Sequence, residues 1–103
     1  MIEELINLLA VALRHKIGSM VNSNEIYAQK YSKDAEVLLK EAMKTASSIN
    51  WNSYDKIRIK EKLRIKLEEE LRKKEFLDNR KFEIMDEEIE NALKELELEY
   101  VFS

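Results

Sequence analysis

The sequence predicts an all-α protein, a small antiparallel helical bundle of about four helices, with residues 1–103 forming a single helical domain. Three observations carry this expectation. The 103 residues include one Gly and no Pro, so the two residue types that most often interrupt helices are almost missing. Hydrophobic residues make up 45% and charged ones 38%, with Leu, Ile, Lys and Glu abundant, a mixture that favours helix. Apolar residues recur at three- and four-residue intervals along most of the chain, the period of a helix with one buried face.

The first helix is expected over residues 2–21. Ile2, Ile6, Leu9, Leu13, Ile17 and Met20 mark its stripe, and Leu5, Leu8 and Ala12 widen it. Asn22, Ser23 and Asn24 end it, because short polar side chains compete for backbone hydrogen bonds and can cap the next helix. The second helix aligns Tyr27, Tyr31, Ala35, Leu38, Leu39, Ala42 and Ala46, bulky early and small late. Ser47 to Ser53 breaks the repeat and reads as the main loop, with Trp51 as an apolar anchor. The third helix is expected from near Ser53 to about Leu77 on Ile59, Leu63, Leu67 and Leu71, with Glu69 and Lys73, and Glu70 and Lys74, bridging turns. Ile57-Arg58-Ile59-Lys60 and Ile65-Lys66-Leu67 alternate as strands do, but no turn chemistry separates them, so helix is favoured. Residues 78–84 are mixed and polar. The last helix places Met85, Ile89, Ala92, Leu93, Leu96 and Tyr100 on one stripe, and connections this short put successive helices antiparallel.

Composition removes several functions. Without Cys there is no disulfide scaffold, Cys-ligated zinc, iron–sulfur cluster or thiol chemistry. The one His, His15, excludes a multi-His metal site within the chain. Gly18 alone cannot build a phosphate-cradling loop or a dinucleotide fingerprint. The longest apolar run, Leu8 to Leu13, is far shorter than the ~20 residues of a membrane span, and no signal-peptide layout precedes it. A cytoplasmic protein is expected, with no cofactor, no metal and no small-molecule substrate.

Charge is unevenly placed. Lys56, Arg58, Lys60, Lys62, Arg64 and Lys66 face only Glu61 within residues 56–66, a net of +5, whereas residues 83–99 carry eight acids against Lys94, a net of −7. Opposite blocks in one bundle can neutralise each other across a helix pair. Alternatively, the basic helix 56–74 contacts nucleic-acid phosphates and gains affinity by counterion release. The chain's net charge of −3 and the lack of interleaved aromatics count against that reading. A third option is docking to a protein through Arg58, Arg64 and Arg72, with Trp51 and Lys73 as further partner-binding candidates.

No nucleophile and base pair stands out, and the chain is not expected to be an enzyme. The acids of the last helix fall between its stripe positions and read as a solvated face rather than a carboxylate metal site. The aromatics Tyr27, Tyr31, Trp51 and Tyr54 are spaced as core or interface residues. His15 reads as a boundary or surface residue. Its neighbourhood, Leu13-Arg14-His15-Lys16-Ile17-Gly18-Ser19, resembles the phosphoacceptor helix of histidine kinases, with Lys16 in place of the usual acid and Met20 in place of the usual Pro. That likeness implies a histidine phosphotransfer-like helical hairpin.

A wider resemblance covers most of residues 8–96. Ala12-Leu13-Arg14-His15-Lys16-Ile17 followed by Tyr27-Ala28-Gln29-Lys30-Tyr31-Ser32-Lys33-Asp34-Ala35-Glu36-Val37-Leu38-Leu39 is similar to the C-terminal helical region of the restriction (motor) subunits of type I restriction-modification enzymes. Asn50-Trp51, Arg58 to Leu67 and Leu71-Arg72-Lys73-Lys74 resemble that region's closing Trp and basic helix. Asn24-Glu25 replaces the family's Asp-Pro, and its Pro after the basic helix is absent. The resemblance implies a non-catalytic module that docks a motor subunit onto its methyltransferase core. The sequence therefore leads to a helical protein-interaction module with a protein partner, a second copy of itself in a homodimer, or both.

Overall fold

In the computed structural model, residues 2–22 and 24–99 are described. Five helices, α1 (Ile2–Val21), α2 (Glu25–Ser47), α3 (Ser53–Arg72), α4 (Arg80–Glu83) and α5 (Met85–Glu95), form a small all-helical bundle. No strand occurs among the described residues. Two asparagines start the long helices. The Asn24 side-chain oxygen accepts from the amides of Ile26 at 3.0 Å and Tyr27 at 3.4 Å, and that of Asn52 accepts from Asp55 at 2.8 Å. Each satisfies amide donors that the first helical turn leaves orphaned, an effect of about 1 kcal/mol per cap.

Helix α1 is the hub. It packs against every other helix and buries Leu5, Ile6, Leu9, Ala10, Ala12, Leu13, Ile17, Gly18 and Val21. From one side α3 contributes Ile59, Leu63, Leu67 and Leu71, all fully buried, and α5 adds Met85, Ile89, Ala92 and Leu93. Burying a Leu or Ile side chain is worth about 1.5–3 kcal/mol, so this is where the fold draws most of its stability. From another side α2 offers only Ala35, Ala42 and Ala46 as buried residues, and among the helices it touches α1 alone.

Ion pairs record how the helices lie along one another. Glu3 meets Lys62 at 2.7 Å and Arg14 meets Glu70 at 2.9 Å, so residue numbers rise together along α1 and α3. Lys60 with Glu90 and Arg64 with Asp86 run in opposite order along α3 and α5. The chain leaves α5 through a left-handed residue, Glu97 at φ 59°. The Leu98 amide donates to the Leu93 carbonyl and the Glu97 amide to that of Lys94, the paired closure that usually calls for Gly. The turn brings buried Leu98 back beside buried Leu93.

Several expectations need correction. The third helix ends at Arg72, not Leu77. The ladder ends where the Lys74 amide turns to the Leu71 carbonyl at 3.1 Å instead of that of Glu70; the Lys74 carbonyl then accepts from the Leu77 amide at 3.0 Å and from the Lys81 ammonium at 2.7 Å. Leu77 is buried all the same. The polar stretch 78–84 contains the short helix α4, opened by the Asp78 carboxylate accepting from the Arg80 amide at 2.9 Å. That amide holds the Asp78 carboxyl below its ordinary range. Met20, Tyr27 and Tyr54 are exposed rather than packed, and Val21 takes the place given to Met20. Of the acids assigned to a solvated face, Glu88 is buried. Ser23 and Tyr100 lie outside the described residues.

Candidate functional site

The five residues expected to bind a partner do not converge. Trp51 is half-buried against the core, and its indole N–H donates to the Ala46 carbonyl at 2.8 Å, so it staples the loop between α2 and α3. Arg58 lies over the Tyr54 ring at 5.6 Å, near the start of α3. Arg64 pairs with Asp86 at 2.9 Å, and that carboxylate raises its affinity for the proton. Arg72 pairs with Glu68 at 2.8 Å and covers the Phe82 ring at 5.7 Å. Lys73 approaches Glu70 at 4.0 Å. At 1.5 Å per residue, Arg58 and Arg72 stand about 21 Å apart along the helix.

Half of the basic block is answered from within the chain. Lys60, Lys62 and Arg64 are met by Glu90, Glu3 and Asp86, so acids of α1 and α5 already hold three of the cations of α3. The Lys62 contact keeps the Glu3 carboxyl below its ordinary range. Between α3 and α5 runs a groove of about 530 Å³ lined by Ile57, Leu93 and Leu98 and by both bases and acids, Lys56, Lys60 and Arg64 beside Glu61, Glu90 and Glu99.

The outer face of α2 is different in kind. Ile26 is 79% exposed and Val37 62% exposed. Eleven residues, about three turns, separate them, so they share one line on the helix. Lys30, Lys33 and Glu36 surround Ile26 in a shallow surface depression. No neighbouring helix covers this line, because α2 packs on α1 only.

His15 sits at the seam of α1 and α2, half-buried rather than on the open surface. Its Nδ1 is 2.8 Å from the Val11 carbonyl. A carbonyl can only accept, so Nδ1 carries a proton, and in the neutral ring Nε2 presents its lone pair. Nε2 is 3.9 Å from the Asp34 carboxylate, beyond direct hydrogen bonding. The ring meets Tyr31 edge to face at 5.7 Å. Arg14, Lys74, Phe76 and Leu77 complete a cleft of about 200 Å³ around His15 and Tyr31.

Two buried charges escaped the sequence reading. Lys81 is 2% exposed; its ammonium caps the Lys74 carbonyl and lies 5.1 Å from the centre of the Phe82 ring. Burial pushes this lysine below its ordinary pKa, with Glu75 opposing. Glu88 places Oε1 2.7 Å from the Lys16 ammonium, and its Oε2 accepts from the Asn91 amide at 3.2 Å. Sequence spacing gave no signal for either, since Lys and Glu beside an apolar stripe ordinarily face water. Among the described residues no group of three or more His, Cys, Asp or Glu side chains could hold a metal ion, and no helix is long and apolar enough to cross a membrane. No protein-family model, no curated protein and no solved structure matches the chain.

Proposed function

We propose that the chain is a non-catalytic helical docking module, an up-and-down bundle whose working surface is the outer face of α2 and whose first partner is a second copy of itself. The observation that carries this reading is the exposure of Ile26 and Val37 on one line of a helix that packs only on α1. Large apolar side chains in water on one unshared face favour association. Both charge signs are interspersed along that face, with Glu36 and Glu41 met by Lys40 and Lys44 of the same helix, so no single-sign field repels a second copy. In an assembly of the kind built by type I restriction-modification enzymes, such a module joins subunits and leaves chemistry to its partners. The pairing of Lys60, Lys62 and Arg64 within the chain supports docking over a nucleic-acid role for α3, since those cations already have counter-charges.

Light scattering across a concentration series tests the proposal. The expected mass climbs from 12.3 kDa toward twice that value, and an Ile26→Glu, Val37→Glu double variant stays at the lower mass with unchanged helicity. A wild-type mass fixed at 12.3 kDa at all concentrations overturns it.

A further inference from the structure

We infer that the cleft between α1, α2 and the turn after α3 binds a small oxyanion, with Arg14, His15, Tyr31 and Lys74 as its ligands. The site is assembled from three separate parts of the chain: Arg14 and His15 on α1, Tyr31 on α2, and Lys74 just past the end of α3. Proton donors dominate it. Arg14 commits one N–H to Glu70 at 2.9 Å, and a guanidinium has five. Neither the Lys74 ammonium nor the Tyr31 hydroxyl has a polar partner among the described residues. Arg14 and Lys74 line the cleft, while Glu70 engages Arg14 and Asp34 stands 3.9 Å from His15 beside it.

His15 narrows the chemistry. The Val11 carbonyl takes the Nδ1 proton, so in the neutral ring Nε2 is an acceptor beside the donors Arg14, Lys74 and Tyr31. A monohydrogen oxyanion fits both: its bare oxygens accept from Arg14, Lys74 and Tyr31, and its own O–H donates to Nε2. Phosphate near neutral pH has this character. The volume of about 200 Å³ lies below the ~300–1,000 Å³ of ordinary small-molecule pockets, so the site suits one phosphate group with at most a small substituent against the half-exposed rim. Tyr31 and Phe76 provide apolar walls for that substituent.

The measurement is NMR of the His15 ring and of backbone amides while inorganic phosphate is added at constant ionic strength, with phenyl phosphate, acetate and chloride as parallel titrations. Saturable shifts confined to His15, Tyr31 and residues 74–77 are expected with phosphate, and at least ten-fold weaker binding in Lys74→Gln, whose side chain makes no ion pair that its loss would break. A comparable saturable response to acetate, which has no O–H to give Nε2, would overturn the role assigned to His15; a stronger one to phenyl phosphate supports the aromatic wall. Shifts equal to those with chloride, shifts that grow without saturating, or a Lys74→Gln variant that binds phosphate as the wild type does would each overturn the assignment.

Discussion

Helix α1 is packed by two different means on its two sides. Toward α3 and α5 it meets rows of leucine and isoleucine, including Ile59, Leu63, Leu67 and Leu71, all fully buried. Toward α2 it meets Ala35, Ala42 and Ala46, and at Gly18 a Cβ would stand 3.2 Å from the Tyr31 ring. The first side gains by the area it removes from water. The second gains by closeness of backbone to backbone, which needs small residues and buries less. Apolar area scales with stability, so α2 is the helix expected to open first.

The most severe break in this contrast is Leu63→Ala, expected to cost about 2–5 kcal/mol by the cavity it leaves. Ala42→Gly on the α2 side should cost only about 1 kcal/mol, mainly from helix propensity. Urea unfolding of the two variants measures both, and equal losses would remove the distinction between the sides. Gly18→Leu overpacks the seam and should cost about 1–3 kcal/mol. Hydrogen exchange should then quicken in α2 while the amides of α3 keep their protection; a matching rise in α3 would show one cooperative unit. Glu97→Gly acts on the leucine-rich side alone. It relieves a side chain held at φ 59° and should add about 1 kcal/mol, visible as a higher urea midpoint with an unchanged slope.

The smallest effect at neutral pH is expected from Lys81→Met. It removes the desolvation cost of a buried ammonium but also its hydrogen bond to the Lys74 carbonyl, and the two oppose each other. The signature lies in the pH profile. Because burial lowers the folded-state pKa, the unfolded chain holds this proton more tightly, so wild-type stability rises as pH climbs from the lowered value toward the ordinary 10.5. Denaturation across that window should show the rise in wild type and its loss in Lys81→Met; an equal rise in both would assign it to another group.

Most of the helical layout was legible because it depends on period. The stripe positions Ile6, Leu9, Leu13 and Ile17 and the every-fourth row from Ile59 to Leu71 are buried as their spacing requires, and Asn24 caps the second helix as its side chain permits. Trp51 is the anchor its setting among polar residues suggested, but its indole donor is already spent on Ala46. What was illegible depends on partners distant in sequence. The turn that follows α3 is held by Lys81, seven residues beyond the carbonyl it caps, with no Gly or Pro to mark the place. Glu88 is drawn inward by Lys16 from α1. The cleft around His15 needs Tyr31 to arrive from α2 and Lys74 from the turn after α3, and the residues next to His15 carry no trace of that meeting. The even charge pattern of α2 likewise hid the fact that no neighbour covers its outer line.

Helix α2 also works as a ruler. Helices α1 and α3 lie side by side with residue numbers rising in the same sense, so the chain must travel back along the whole of α1 before α3 can begin. The 20 residues of α1 measure about 30 Å and the 23 of α2 about 34 Å, a near match. Excising one turn from α2 would slide α3 by roughly 5 Å and carry Lys62 and Glu70 away from Glu3 and Arg14 together. The helix that contributes least to the core thereby sets the alignment of the two that contribute most.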